Sequence, residues 1–452
     1  MRIRRRGRAI AMAAGVGIAA LALAGCTGDI EEGGGGDADC SDYEQYGTFE
    51  DANVTIGGTI LDLEADRLVE SWSDFASCTG INIDYQGSSE FEAQIAVLAE
   101  GGNAPDIGIV PQPGLLQRLA AGGWLVPASQ PVIDNIDEFW DPIWKEYATV
   151  DGTVWAAPLM ASIKGYVWYS PSEFEENGWE IPTTLDELTE LSETIAAESG
   201  HKPWCVGLES GEATGWPGTD WIEDFVLRQA GPEFYDQWVT HEVPFNSPEV
   251  IEAFDSVGEY LKNEDMVNGG IGDVSTQISE AFQTAGLPIL DGECSLHHQA
   301  SFYETFWNPE GGDENTVAPD GTVYAFLLPP VSADDPQAVT GGGEFPVAFR
   351  DAEEVEAVRA YLSSDLWANN RVSLGGVISA NKGLDPSVAS SPLLEQSIEI
   401  LQSEDTEFRF DGSDLMPGAV GAASFWQGIV EWVGGASTQT VVDEIEASWP
   451  AS

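Results

Sequence analysis

The stretch from Asn53 to Leu125 constrains the fold more than any other, because its hydrophobic period switches repeatedly between two and 3.6 residues. Asn53–Ile60 alternates and reads as a strand. Leu61–Cys78 places Leu63, Leu68, Trp72 and Phe75 at helical spacing and stops at Thr79-Gly80. Ile81–Gly87 is a second strand, and Ser89–Gly102 a helix with Ser88 or Ser89 as N-cap. Ala104–Val110 is a short, continuously apolar strand, and the chain turns at Pro111–Gly114 into another helix. Strands alternating with helices imply an α/β fold with a mainly parallel sheet covered on both faces. In such sheets ligands gather at the carboxyl ends of the strands. Those ends here are Gly57-Gly58-Thr59, Gly87-Ser88-Ser89-Glu90 and Pro111-Gln112-Pro113.

Beyond residue 26 the chain is too long for one ordinary core, and its 43% hydrophobic and 10% aromatic content argues for real cores, so two lobes are expected. Asp151–Ser170, a turn and two apolar strands, marks the crossing between them. Thr183–Ala197 reads as a helix capped by Thr184, with Glu187 at capping-box spacing. Pro248–Lys262 reads as a helix, and Leu287–Trp307 as a strand, a turn and an aromatic-rich helix. Tyr324–Pro330 is expected to return to the first lobe, with Gly341–Phe349 and Ala352–Ser363 adding a strand and a helix there. The expected layout is a leader at 1–26, a tether at 27–50, a first lobe at 51–155 plus 325–365, and a second lobe at 156–324 plus 366–452.

The leader carries Arg2, Arg4, Arg5, Arg6 and Arg8, then an unbroken small and apolar run from Ile10 to Ala24. That run is too short to favour a membrane span and reads as a secretory signal. It ends in Leu23-Ala24-Gly25-Cys26, which resembles the bacterial lipobox; the resemblance implies that Cys26 becomes a lipid-modified first residue anchoring the chain to the membrane. The acidic, Gly-rich stretch after it fits a flexible tether. The other cysteines, Cys40, Cys78, Cys205 and Cys294, are an even number in an oxidising compartment. Three pairings are possible; Cys40–Cys78 with Cys205–Cys294 is expected, because each pair then lies within one lobe of the layout. With 77 acidic against 17 basic residues and a net charge of −60, the chain repels nucleic acid and anionic headgroups. The acids do not form a D-x-D-x-D-G calcium loop, and neither metal nor cofactor is expected.

The segment Cys205–Phe225 is the candidate site. It reads as a short strand, Cys205–Leu208, then a loop with Gly211, Gly215, Pro217 and Gly218, then a helix capped by Thr219 or Asp220. Trp216 and Trp221 stand there among acids and hydroxyls. A flat apolar face beside hydrogen-bonding groups suits a sugar ring, although tryptophans under a loop also serve as core anchors. Of the two, Trp216 is expected to face the sugar and Trp221 to be the packed anchor.

The lipobox, the βα units, the DGTVWAAP crossing at Asp151–Pro158 and the MPGAVGAASFW segment at Met416–Trp426 together resemble the extracellular solute-binding proteins of bacterial ABC importers, sugar-binding branch. The resemblance spans roughly Asp51–Trp449, and PWCVGLESGEATGWPGTDW and FDGSDLMPGAVGAASFW are close to the form in α-glucoside-binding members. It implies a two-lobe, type II periplasmic-binding-protein-like fold with the ligand cleft between the lobes. It implies an extracytoplasmic monomer that closes on a sugar and delivers it to a membrane permease with a separate ATPase; no G-x-x-x-x-G-K-[ST] loop occurs here. Trp426 matches the aromatic platform on which maltose-binding relatives stack a sugar ring. Trp216, in the loop over 209–221, and Gln112 beside Pro113 match further sugar contacts. The Asp-Arg pair that maltose binders carry near Gln112 is missing. Glu90, Lys164, His298 with Gln299, and Glu344 fall at other cleft-facing positions, and Asp220 and Asp411 sit in the two motifs that carry the resemblance. The competing function is a secreted glycoside hydrolase with paired carboxylates, for which Glu223 with Asp224 or Asp411 with Asp414 are candidates.

Overall fold

The computed structural model describes residues 40–270, 274–308, 312 and 314–450. The leader, the Cys26 lipidation site and the tether up to residue 39 lie outside the described residues.

The first lobe is built on a four-stranded sheet in the order Phe345–Ala348, Ile107–Val110, Asn53–Gly58, Asn82–Gly87. The last three run parallel, and Phe345–Ala348 is antiparallel to its neighbour. Val54, Ile56 and Ile107 are fully buried in it. Where the hydrophobic spacing suggests one helix over Leu61–Cys78, two form, Asp62–Glu70 and Ser73–Thr79. The break has a physical cause. The Ser71 hydroxyl donates back to the Leu68 carbonyl and accepts from the indole N–H of Trp367, while Trp72 is buried outside helical geometry. The second helix ends at Gly80, in the left-handed region at φ 77°. A disulfide joins Cys40 to Cys78 behind it.

The second lobe holds a five-stranded sheet in the order Tyr324–Leu327, Tyr166–Tyr169, Cys294–Gln299, Lys202–Cys205, Val267–Asn268. A disulfide joins Cys205 to Cys294 on neighbouring strands. Two parts of the expected layout are corrected here. Tyr324–Leu327 does not return to the first lobe but pairs antiparallel with Tyr166–Tyr169, extending the second sheet. The helix Asp365–Ser373 belongs to the first lobe, where the Trp367 indole is buried against Ser71 and Asn370 donates to the hydroxyls of Tyr43 and Tyr361.

A third sheet joins the lobes: Glu407–Phe410, Ala338–Gly343 and Ala161–Ile163. The glycines of Ala338–Gly343 let it seat. A Cβ on Gly341 would stand 2.4 Å from the Phe408 ring and 2.5 Å from the Ser162 carbonyl oxygen. Trp144 stacks on Phe408 with ring centres 5.0 Å apart and closes this sheet's outer side. None of the described helices is long and apolar enough to cross a membrane.

Candidate functional site

A cleft of about 670 Å³ opens between the lobes. This is the size range of small-ligand sites. The first lobe contributes Thr59, Ser89, Glu92, Gln112 and Arg118 from strand ends and the helices behind them; the second contributes Glu209–Ala213, Phe282, Gln283 and Trp426. The strand-end rule therefore finds the first-lobe wall. Gln112 is buried and its amide donates to the Glu92 carboxylate at 2.6 Å. Burial raises the Glu92 carboxyl above its usual range, and the Gln112 bond offsets part of this.

The second wall depends on one close backbone contact. Gly215 has φ 113°, and a Cβ there would stand 2.2 Å from the Trp426 carbonyl oxygen. Gly215 is also the N-cap of the helix Trp216–Ala230, with Pro217 in the first turn. The helix so begins before Thr219 and Asp220, the expected caps, and carries both buried in its first turns. Trp426 opens the helix Trp426–Val433 directly after a π-helical turn, Val420–Phe425. Such turns reposition side chains at functional sites.

The two tryptophans of the loop separate. Trp221 is buried at 2% exposure, edge-on to Trp204 with centres 4.9 Å apart. Trp216 is half-buried, edge-on to Phe282 at 5.0 Å, with the Lys164 ammonium 5.2 Å from its ring centre. Phe282, rather than Trp216, lines the main cleft.

Lys164, Asp220 and Asp411 come together behind the cleft. The Lys164 ammonium binds Asp220 at 2.8 Å and also Asp411. Asp411 caps the turn Gly412–Leu415, accepting from the Asp414 N–H at 2.9 Å, and Glu223 accepts from the N–H groups of Gly412 and Ser413 at 2.8 and 3.0 Å. Carboxylate oxygens of Asp220, Glu223 and Asp411 lie within 4.8 Å of one another, and the cation among them is Lys164. Burial alone would lower the Lys164 pKa, but the adjacent Asp220 and Asp411 carboxylates overcome it and hold the ammonium well above the lysine range. Burial, with the neighbouring acids, pushes Asp220 and Glu223 well up, whereas Lys164 keeps Asp411 low against the same burial. Asp224 faces elsewhere, bonded to Arg228, His298 and Thr340. The acids nominated for hydrolysis are thus largely committed to internal bonds.

The remaining candidates scatter. Glu90 is exposed at the N-cap of Phe91–Glu100, and Glu92, two residues on, faces the cleft instead. Gln299 is buried, its side-chain oxygen accepting from the Ala300 N–H at 2.8 Å. His298 packs tilted against Trp221, ring centres 4.3 Å apart, while bonded to Asp224. Glu344 follows directly on the crossing strand Ala338–Gly343. Sequence reasoning missed Glu92, Arg118 and Phe282. Glu92 had a signal, since it sits in the first turn after a strand end; Phe282 lies in a short four-residue helix with no periodicity to read.

Four likenesses bear on this geometry. The bacterial extracellular solute-binding protein family matches residues 55–287. The "Osmoprotective compounds-binding protein GgtB" of Synechocystis sp. is 38% identical over 399 residues, covering 88% of this chain and 92% of that protein. The "Alpha-glucosides-binding periplasmic protein AglE" of Rhizobium meliloti is 37% identical over 398 residues, covering 85% and 84%. Among solved structures, the bacterial solute receptor AcbH superposes with a TM-score of 0.72 at 16% identity, covering 88% of this chain and 98% of its own. The fold is the type II periplasmic-binding-protein fold, two α/β lobes around a cleft.

Proposed function

This chain belongs to the bacterial extracellular solute-binding protein family, and from that premise we propose that its solute is an α-glucoside or related small oligosaccharide, captured for an ABC permease. The observation that carries the reading is that Trp426, from the second lobe, lines the same cleft as Gln112 and Glu92 from the first. An indole face takes the CH face of a pyranose ring, and the opposing amide and carboxyl take its hydroxyls. The names of the two relatives, one for α-glucosides and one for osmoprotective compounds, point to small polar solutes. A ring stack with a few hydrogen bonds supports micromolar affinity, on the order of 8 kcal/mol.

In this reading the chain binds and releases its solute unchanged. Glu223, Asp224 and Asp411 spend their oxygens on backbone N–H groups, Lys164, Arg228 and His298. Lipid attachment at Cys26 holds the monomer at the outer membrane face, next to its permease. Mixing the purified protein with maltose, trehalose and sucrose tests the reading: tryptophan fluorescence shifts and no free glucose appears. Steady glucose release would make it a hydrolase. Cys26→Ala releases the protein from membranes; retention would refute the anchor.

A further inference from the structure

The two lobes meet backbone to backbone beside the cleft. The helix Pro113–Ala121 of the first lobe sets Gly114 against the turn Gly412–Leu415 of the second. A Cβ on Gly114 would stand 2.9 Å from the Met416 carbonyl oxygen and 3.0 Å from that of Asp414, so only glycine allows the contact. Each lobe brings an acid to it. Gln112, two residues before Gly114, holds Glu92 through its amide at 2.6 Å, and all three line the cleft. The turn on the other side carries Asp414, whose carboxyl feels the Glu92 charge.

The two acids differ in their donors. Glu92 accepts from the Gln112 amide. Among the described residues the Asp414 carboxyl accepts no hydrogen bond; only its backbone N–H is engaged, donating to Asp411 at 2.9 Å. Burial raises the Asp414 carboxyl well above the usual range, and repulsion from Asp411, Glu92 and Asp220 outweighs the opposing pull of Lys164. The other charges packed against the turn are committed elsewhere. Lys164 lies between Asp220 and Asp411, and Glu223 accepts from the N–H groups of Gly412 and Ser413. The Tyr235 hydroxyl donates to the Phe410 carbonyl at 3.1 Å. Around Glu92, the cleft lining adds Arg118, Glu209 and Glu212; Arg118 is exposed, where water screens it. Two carboxyls brought together out of water cannot both stay ionised, and the one without a donor keeps the proton.

We propose that Asp414 and Glu92 link solute capture to proton uptake: closing the lobes brings the two acids together across the Gly114 contact, and Asp414 takes a proton from the solvent as they meet. This rests on the reading of the cleft as the solute site and adds how acidity governs it. Opening parts Gly114 from the turn, admits water and removes Glu92, so Asp414 falls back towards the ordinary carboxyl range. Below the open-state value both states hold the proton, and closure meets no repulsion. Between the open-state and closed-state values closure binds a proton. Above both, the two acids stay charged and oppose closure. Affinity is therefore highest in acid and is lost as pH rises through the closed-state value, by about tenfold per pH unit while one proton is taken up.

The test titrates trehalose, maltose and sucrose calorimetrically into the wild type, Asp414→Asn and Glu92→Gln at about pH 5 and about pH 8. The wild type is expected to bind its best sugar at least about tenfold more weakly at the higher pH. Its binding heat is expected to differ between two buffers of unlike ionisation enthalpy, which reads proton uptake without any variant. Asp414→Asn is expected to bind equally at both pH values and more tightly than the wild type at the higher one, an outcome that mere loss of structure would not produce. Glu92→Gln is expected to lose the pH dependence too, whatever its own affinity. Wild-type binding that is independent of pH and of buffer, or a pH dependence that survives in both variants, would overturn the proton link and leave the solute site standing. A wild type that binds none of the three sugars at either pH would overturn both.

Discussion

The backbone of Trp426 rests on Gly215: a Cβ on that glycine would stand 2.2 Å from the Trp426 carbonyl oxygen. The ring proposed to hold the sugar is therefore aimed by a loop that tolerates only hydrogen at one position. Gly215→Ala meets both this clash and a φ of 113°. It is expected to cost about 1–3 kcal/mol of stability and to displace Trp426, weakening ligand binding. Chemical denaturation and a binding titration of the same variant check the two effects.

Lys164 is the cation among Asp220, Glu223 and Asp411. Removing it leaves buried acids uncompensated, so Lys164→Met is expected to destabilise by about 3–5 kcal/mol. Adding Asp411→Asn to it is expected to recover part of that loss, because one of those acids is then neutral. Thermal unfolding of the single and double variants reads the difference.

His297 is buried, bonded through Nδ1 to the Cys205 carbonyl at 2.9 Å, and burial lowers its pKa to about 4. The unfolded chain titrates near about 6.5, so between the two values the unfolded state binds the extra proton. Stability from the neutral ring is thus complete above about pH 6.5 and lost as pH falls towards 4, by about 3 kcal/mol. His297→Gln is expected to flatten the melting-temperature profile across that window.

Asp224 works lower on the scale. It is buried, which alone would raise its carboxyl, but Arg228 and His298 beside it bring it down to about 2. Its contribution is present above the unfolded value of about 3.9 and lost as pH falls through about 2. Asp224→Asn is expected to lower stability at neutral pH and to lose less on acidification than the wild type, as measured by urea unfolding at each pH.

Local patterns were legible where local forces decide. The strand-end residue Gln112 and the Thr184 cap could be named from sequence because where a strand stops and where a helix is capped are short-range; the Thr184 hydroxyl does accept from the Glu187 N–H at 3.2 Å. Trp221 could be assigned as an anchor because an apolar helix face must be buried. What failed was long-range. Tyr324–Leu327 carries no mark of which sheet it extends, since a short apolar strand fits either edge. Asp365–Ser373 follows the first lobe because the Trp367 indole finds Ser71, nearly three hundred positions earlier in sequence. Asp220 and Asp411 looked like sugar ligands as isolated acids, and their partner Lys164 becomes visible only once the crossing sheet is folded.

The central claim, an intact glycoside held against Trp426, is tested most directly by isothermal titration of trehalose, maltose and sucrose into the wild type and Trp426→Ala. The account predicts micromolar binding of at least one sugar to the wild type and a loss of about tenfold or more in the variant, with the sugar recovered unchanged. Equal affinity in the two proteins, or glucose in the cell after titration, would contradict it.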